Sequence, residues 1–102
     1  MRASIRIERQ ILTITVSSGT GSATFTAHGK LNSIGFKMPS GTPTYDFEIV
    51  DSASFGVAGK TGLSGKTTLG VDKLCTDLNT ITISNATVDG DYLVRLWIEQ
   101  GV

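Results

Sequence analysis

Among its 102 residues the chain has one cysteine, one histidine, one tryptophan and two prolines, and its nine basic residues are balanced by nine acidic ones. A single thiol, Cys75, excludes an internal disulfide and any zinc site built from several cysteines. It fits folding in a reducing cytosol. Zero net charge removes the broad electrostatic field that nucleic acids or anionic membranes require. It also removes a barrier to self-association. Long apolar runs are missing too. The opening MRASIRIERQILTITVSS is interrupted by Arg2, Arg6, Glu8 and Arg9, which leaves no signal-peptide core and no stretch of membrane-spanning length. The expectation is a complete, cytosolic product.

What the chain does contain is alternation. Hydrophobic residues make up 39% and charged residues 18% of the sequence, a balance that argues against disorder and allows one domain, residues 1–102, with a modest core. The dominant period is two, that of β-strands. Ile5 and Ile7 alternate with Arg6 and Glu8. Leu12, Ile14 and Val16 alternate with threonines, and the turn SSGTG follows at 17–21. Ala23, Phe25 and Ala27 form the next run, which Gly29-Lys30 is expected to break. Ile34, Phe36 and Met38 follow, then the turn PSGTP at 39–43. Tyr45, Phe47 and Ile49, a short segment at Phe55 and Val57, Leu69 and Val71, and Ile81 and Ile83 continue the pattern. Residues 72–79 read as a helical turn or a loop. Asp89-Gly90 fits a tight hairpin turn before the clearest strand, in which Tyr92, Val94, Leu96 and Ile98 share a face. The fold expected is all-β, an antiparallel β-sandwich or jelly roll of about eight short strands.

Motifs with chemical potential do not survive inspection. Gly-Lys-Thr occurs twice in GKTGLSGKTTLG (59–70), but a phosphate loop needs G-x-x-x-x-G-K-[ST] ahead of a helix. The required first glycines fall on Ser54 and Lys60, so a mobile glycine-rich loop is expected. His28, the one histidine, sits at a polar strand end and reads as solvated rather than as a general base. Asp46 and Glu48 lie on one side of their strand, suitable for a glycosidase pair or calcium. A solvent-facing strand edge, where charge discourages unwanted pairing, is the preferred reading of the pair. Asp89 and Asp91 flank a turn glycine. Asn85-Ala86-Thr87 matches the N-glycosylation pattern, which matters only in a secretory pathway. No catalytic set, cofactor site or metal site emerges.

The last strand carries the more informative signal. If Tyr92, Val94, Leu96 and Ile98 face the core, then Leu93, Arg95 and Trp97 face the other way. An outward tryptophan beside Leu and Arg is either a contact surface or a strand covered on both faces. Ile5 and Ile7, in a candidate interaction strand at residues 1–8, together with Lys60 and Lys66 of the glycine-lysine segment, complete the candidate interface.

Two stretches, GKLNSIGFKMPSGTPTYDFEIVDS (29–52) and TITISNATVDGDYLVRLWIE (80–99), resemble small virion proteins of tailed bacteriophages. The resemblance covers a little under half of the chain and consists of turn and strand residues. It implies a non-enzymatic structural protein, a capsid decoration or cement protein on the capsid exterior. Such a protein is made in the bacterial host cytoplasm. Its implied partner is the major capsid protein, its implied state a dimer or trimer, and it takes no nucleic acid, membrane, small molecule or cofactor. A tail or neck accessory protein is the neighbouring expectation. A carbohydrate-binding module stacking sugars on Tyr45, Tyr92 and Trp97 is a third, and a small hydrolase using Asp46 and Glu48 a fourth.

Overall fold

A computed structural model describes residues 5–101. Six strands, β1 (Ile5–Val16), β2 (Gly21–Lys37), β3 (Thr44–Asp51), β4 (Gly56–Ser64), β5 (Thr67–Ser84) and β6 (Gly90–Gly101), form one continuous sheet in the order β1-β6-β2-β5-β3-β4. Every pairing is antiparallel. The sheet curls into a half-barrel measuring 50 × 26 × 19 Å. The all-β expectation holds, but the strands are fewer and longer than about eight short ones: β2 and β5 run for 17 and 18 residues.

The long strands explain why the sequence breaks up on reading. Gly29-Lys30 does not end a strand, because both residues stay paired with Cys75 and Leu74 of β5. The disturbance comes later, as a bulge between Leu31 and Ser33. Residues 72–79 are neither helix nor loop but the middle of β5. Asp72 and Asp77 there take left-handed backbone angles, φ 57° and 60°, which aspartate tolerates better than most residues. These irregularities let the β2–β5 ribbon bend. Its first part, Gly21–Gly29 of β2, pairs with β5 alone, whereas Lys30–Lys37 also pairs with β6.

The bend brings the sheet's two ends around a shared interior. Ile14, Phe25, Leu31, Ile34, Ile49, Ile81 and Leu96 are among its buried side chains, and the cluster draws on all six strands. Tyr45 of β3 meets Tyr92 of β6 edge-on at 5.7 Å and Phe36 of β2 at 5.3 Å, a favourable ring geometry. Both phenols are satisfied: Tyr92 donates to the Val88 carbonyl at 2.7 Å and Tyr45 to that of Gly65 at 3.0 Å. Across the open seam the Gln10 amide of β1 donates to the Thr26 carbonyl of β2 at 2.9 Å.

Connections mostly skip a strand. The β1–β2 turn is a two-residue one with Ser18 at φ 55° and Gly19 at φ 82°, the positive pair such turns demand. Asp89 accepts hydrogen bonds from Ser18 N at 3.1 Å and Gly19 N at 3.0 Å. Asp89-Gly90 therefore does not close a hairpin. It lies on a crossover from β5 to β6, which are separated by β2, and it braces another turn. The glycine-lysine stretch is not a free loop either. It is the end of β4, a corner at Gly65-Lys66, and the start of β5, with Gly65 N donating to the Pro43 carbonyl at 2.9 Å.

Cys75 is 1% exposed, and burial pushes its thiol pKa up. A buried, protonated thiol is a poor nucleophile. Cys75 should stay unmodified by a thiol reagent such as Ellman's in native protein and react in full once urea has unfolded the chain. A fast native reaction would contradict this packing.

Candidate interaction face

Strict alternation on β6 sends its side chains to two environments. Tyr92, Val94, Leu96 and Ile98 are all 0% exposed. Leu93, Arg95 and Trp97 point outward, with Trp97 half-buried. The neighbouring β1 adds Ile7, Arg9 and Ile11 to the same surface. Pairing places Arg9 opposite Trp97 and Ile11 opposite Arg95. Trp97 is flanked by both guanidinium groups, Arg9 at 6.0 Å and Arg95 at 5.5 Å from the ring centre. At exposed sites each such contact contributes about 0.5–1 kcal/mol, enough to bias the arginines toward the ring. Ile7 is 50%, Ile11 58% and Leu93 38% exposed. The result is an apolar and cationic patch on hydrogen-bonded sheet.

Beside this patch lies an open hollow of about 330 Å³. Gly35 of β2 is its floor, Ile11 and Leu93 are its apolar walls, and Lys37, Lys66 and Arg95 stand around it. The candidate residues thus meet in part. Ile7, Leu93, Arg95 and Trp97 share one face, and Lys66 borders the hollow. The backbone of Ile5 pairs with Gly101 at the end of β1; residues 1–4 of the candidate interaction strand lie outside the described residues. Lys60 is elsewhere, on β4, beside a second hollow of about 230 Å³ that it shares with Lys73.

Sequence reading missed Arg9, Ile11, Gly35 and Lys37. The signal for Ile11 was present: it has the parity of Ile5 and Ile7, and one uninterrupted strand over residues 5–16 would have placed all three on one face. Lys37 and Gly35 reach this surface only through the β2–β6 pairing, which alternation alone does not specify.

Of the residues singled out from the sequence for catalysis, Asp46 is tied into the fold, whereas Glu48 and His28 are exposed. Asp46 accepts from Gly62 N and Asn85 Nδ2, each at 2.8 Å. It ties β3 to β4 and to the β5–β6 connection. These bonds, that from Asn85 foremost, lower its pKa. A lowered carboxylate stabilises the fold above the ordinary value near 4, and that contribution is lost as pH falls through the folded value. Asp46→Asn should therefore flatten the loss of urea resistance between about pH 4 and pH 2 relative to the parent. An identical acid limb in both proteins would show that Asp46 plays no part in it.

Asp91 accepts from Thr15 Oγ1 at 2.8 Å, and Thr87 accepts from Thr44 N at 3.0 Å. Tyr45 and Tyr92 are 1% and 0% exposed, so two of the three sugar-stacking candidates are core residues. Among the described residues no group of three or more His, Cys, Asp or Glu is placed to hold a metal ion. No family model matches the chain, and no curated protein matches it either.

Proposed function

We propose that the chain is a non-catalytic virion structural protein of a tailed phage, a decoration or cement protein that seats on the shell of major capsid protein. The observation carrying this reading is the outer face of β1 and β6. Ile7 and Ile11 are at least half exposed beside a tryptophan held between two arginines. Trp and Arg dominate interface hot spots, and a patch on paired strands loses little freedom on docking. The resemblance of residues 29–52 and 80–99 to small phage virion proteins supports the same assignment.

In this reading the two ends of the curled sheet act as the layers of a jelly-roll-like sandwich, rigid enough to bridge neighbouring capsid subunits. Affinity then comes from repeated modest contacts, strengthened if the protein is a dimer or trimer. It is made in the host cytoplasm and resides on the capsid exterior. A tail or neck position would use the same face on a different partner. The test is to mix the purified protein with undecorated shells of the accompanying capsid protein and sediment them. Saturable co-sedimentation at a fixed ratio per capsomer is expected. Folded protein left wholly in the supernatant would overturn the head assignment.

A further inference from the structure

We propose that the hollow between Lys37, Lys66 and Arg95 receives an acidic segment of the protein on which this chain seats. A partner carboxylate enters among the three cations, and an adjacent apolar side chain lies against Ile11 and Leu93. The inference rests on the contact role proposed above for the outer face, and it names the chemistry of what that face meets.

Charge is the first argument. Three cations border the hollow and no Asp or Glu lines it. Lys30 pairs with Asp72 at 3.2 Å and with Glu99 at 3.5 Å. The outward carboxylates of β6 are thus occupied away from the hollow: Glu99 by Lys30, and Asp91 by the Thr15 hydroxyl. No carboxylate lines the hollow beside Lys37, Lys66 and Arg95, so an incoming one is attracted to all three.

Shape is the second. The floor is backbone, because position 35 has no side chain. A Cβ there would sit 3.3 Å from Arg95 Nη2 and 3.4 Å from Thr68 Oγ1, so the guanidinium already lies over the floor. Trp97 flanks it at 5.5 Å. A planar guanidinium biased toward this position presents the fork that a two-point bond to carboxylate needs. About 330 Å³ accommodates an acidic side chain and an apolar neighbour, at the lower end of ligand-site sizes. Nucleic acid fits less well, because it needs a track of cations along a backbone, whereas here the cations surround one apolar-walled hollow on a chain of zero net charge.

The experiment uses an array of nine-residue peptides in which Asp or Glu alternates with Leu or Val, each beside a copy carrying Asn or Gln. A twelve-residue oligothymidine serves as the competing probe. Acidic peptides should bind, weaken as salt rises, and shift the amide resonances of Gly35, Thr68 and Leu93 in nitrogen-15 spectra. Lys37→Glu and Lys66→Glu should each weaken binding at least tenfold, Lys66→Arg should retain it, and Lys73→Glu should leave it unchanged. Equal binding of the amide copies, or shifts confined to other residues, would overturn the inference. So would oligothymidine binding mapped to the hollow with the acidic peptides inert. The same variants in shell sedimentation separate the two proposals. Full co-sedimentation of the Lys37→Glu/Lys66→Glu double variant would leave the seating role standing and remove the acidic partner. Acidic peptides bound at the hollow by a protein that ignores the shell would remove the seating role and keep the site.

Discussion

A Trp97→Ala variant is expected to fall out of shell co-sedimentation while remaining folded. The indole is half-buried and outward, so its removal opens no hole in the interior. Loss of its two cation contacts should cost the fold about 1–2 kcal/mol. For a domain of this size that corresponds to a fall in Tm of about 4–16 °C. The effect on binding should be larger. A central aromatic at an interface typically contributes about 2 kcal/mol or more, roughly thirtyfold in affinity, and repetition over a shell multiplies the deficit. Arg9 and Arg95 would also lose the ring that positions them. The informative comparison is Phe55→Ser. Phe55 is 71% exposed on the β3–β4 turn, which Asp51 braces by accepting from Ala53 N and Phe55 N, each at 2.9 Å. Normal binding by Trp97→Ala together with loss in Phe55→Ser would move the contact to that tip.

Gly21→Ala should be the most damaging single-methyl change. A Cβ at position 21 would overlap the Thr15 carbonyl and approach Ile14 Cγ2 to 3.1 Å. The obstacle is backbone, which has no rotamer to yield, and β1 and β2 would have to separate just past their turn. Overpacking of this kind costs about 3 kcal/mol or more, a drop in Tm of about 12–24 °C. Gly70→Ala is the matched control, since a Cβ there meets nothing within 4 Å. It should be neutral or slightly stabilising, by about 0.4–1 kcal/mol, because alanine restricts the unfolded chain. Equal stability of the two variants, measured by urea denaturation, would refute the close approach of the strands.

These two sites also mark what could be read from the chain. The outward set Leu93, Arg95 and Trp97 was legible because β6 is covered on one face only, so its alternation is unbroken. Ile11 and Lys37 were harder to place, for different reasons. Ile11 stands where two apolar series of opposite parity meet in β1. Lys37 belongs to the face only by virtue of pairing with Leu93. The length of β5 was hidden because Asp72, Lys73 and Asp77 look like loop residues. In the fold they sit on an exposed, kinked ribbon whose inward positions are few. Strand order was out of reach altogether, since the turn after β1 announces a neighbour that the sheet then replaces with β6.

That replacement has a consequence for how the protein is made. β6, which follows the other five described strands in the chain, lies between β1 and β2. At about 5–20 residues per second, synthesis of 102 residues takes about 5–20 s. During that interval the nascent chain cannot close its sheet, whatever local hairpins it forms. The edges of β1 and β2 that β6 will occupy stay open on the ribosome. Folding is therefore a late, collective event with most contacts far apart in sequence, which predicts slow kinetics and a window in which emerging chains depend on chaperones to avoid pairing with one another.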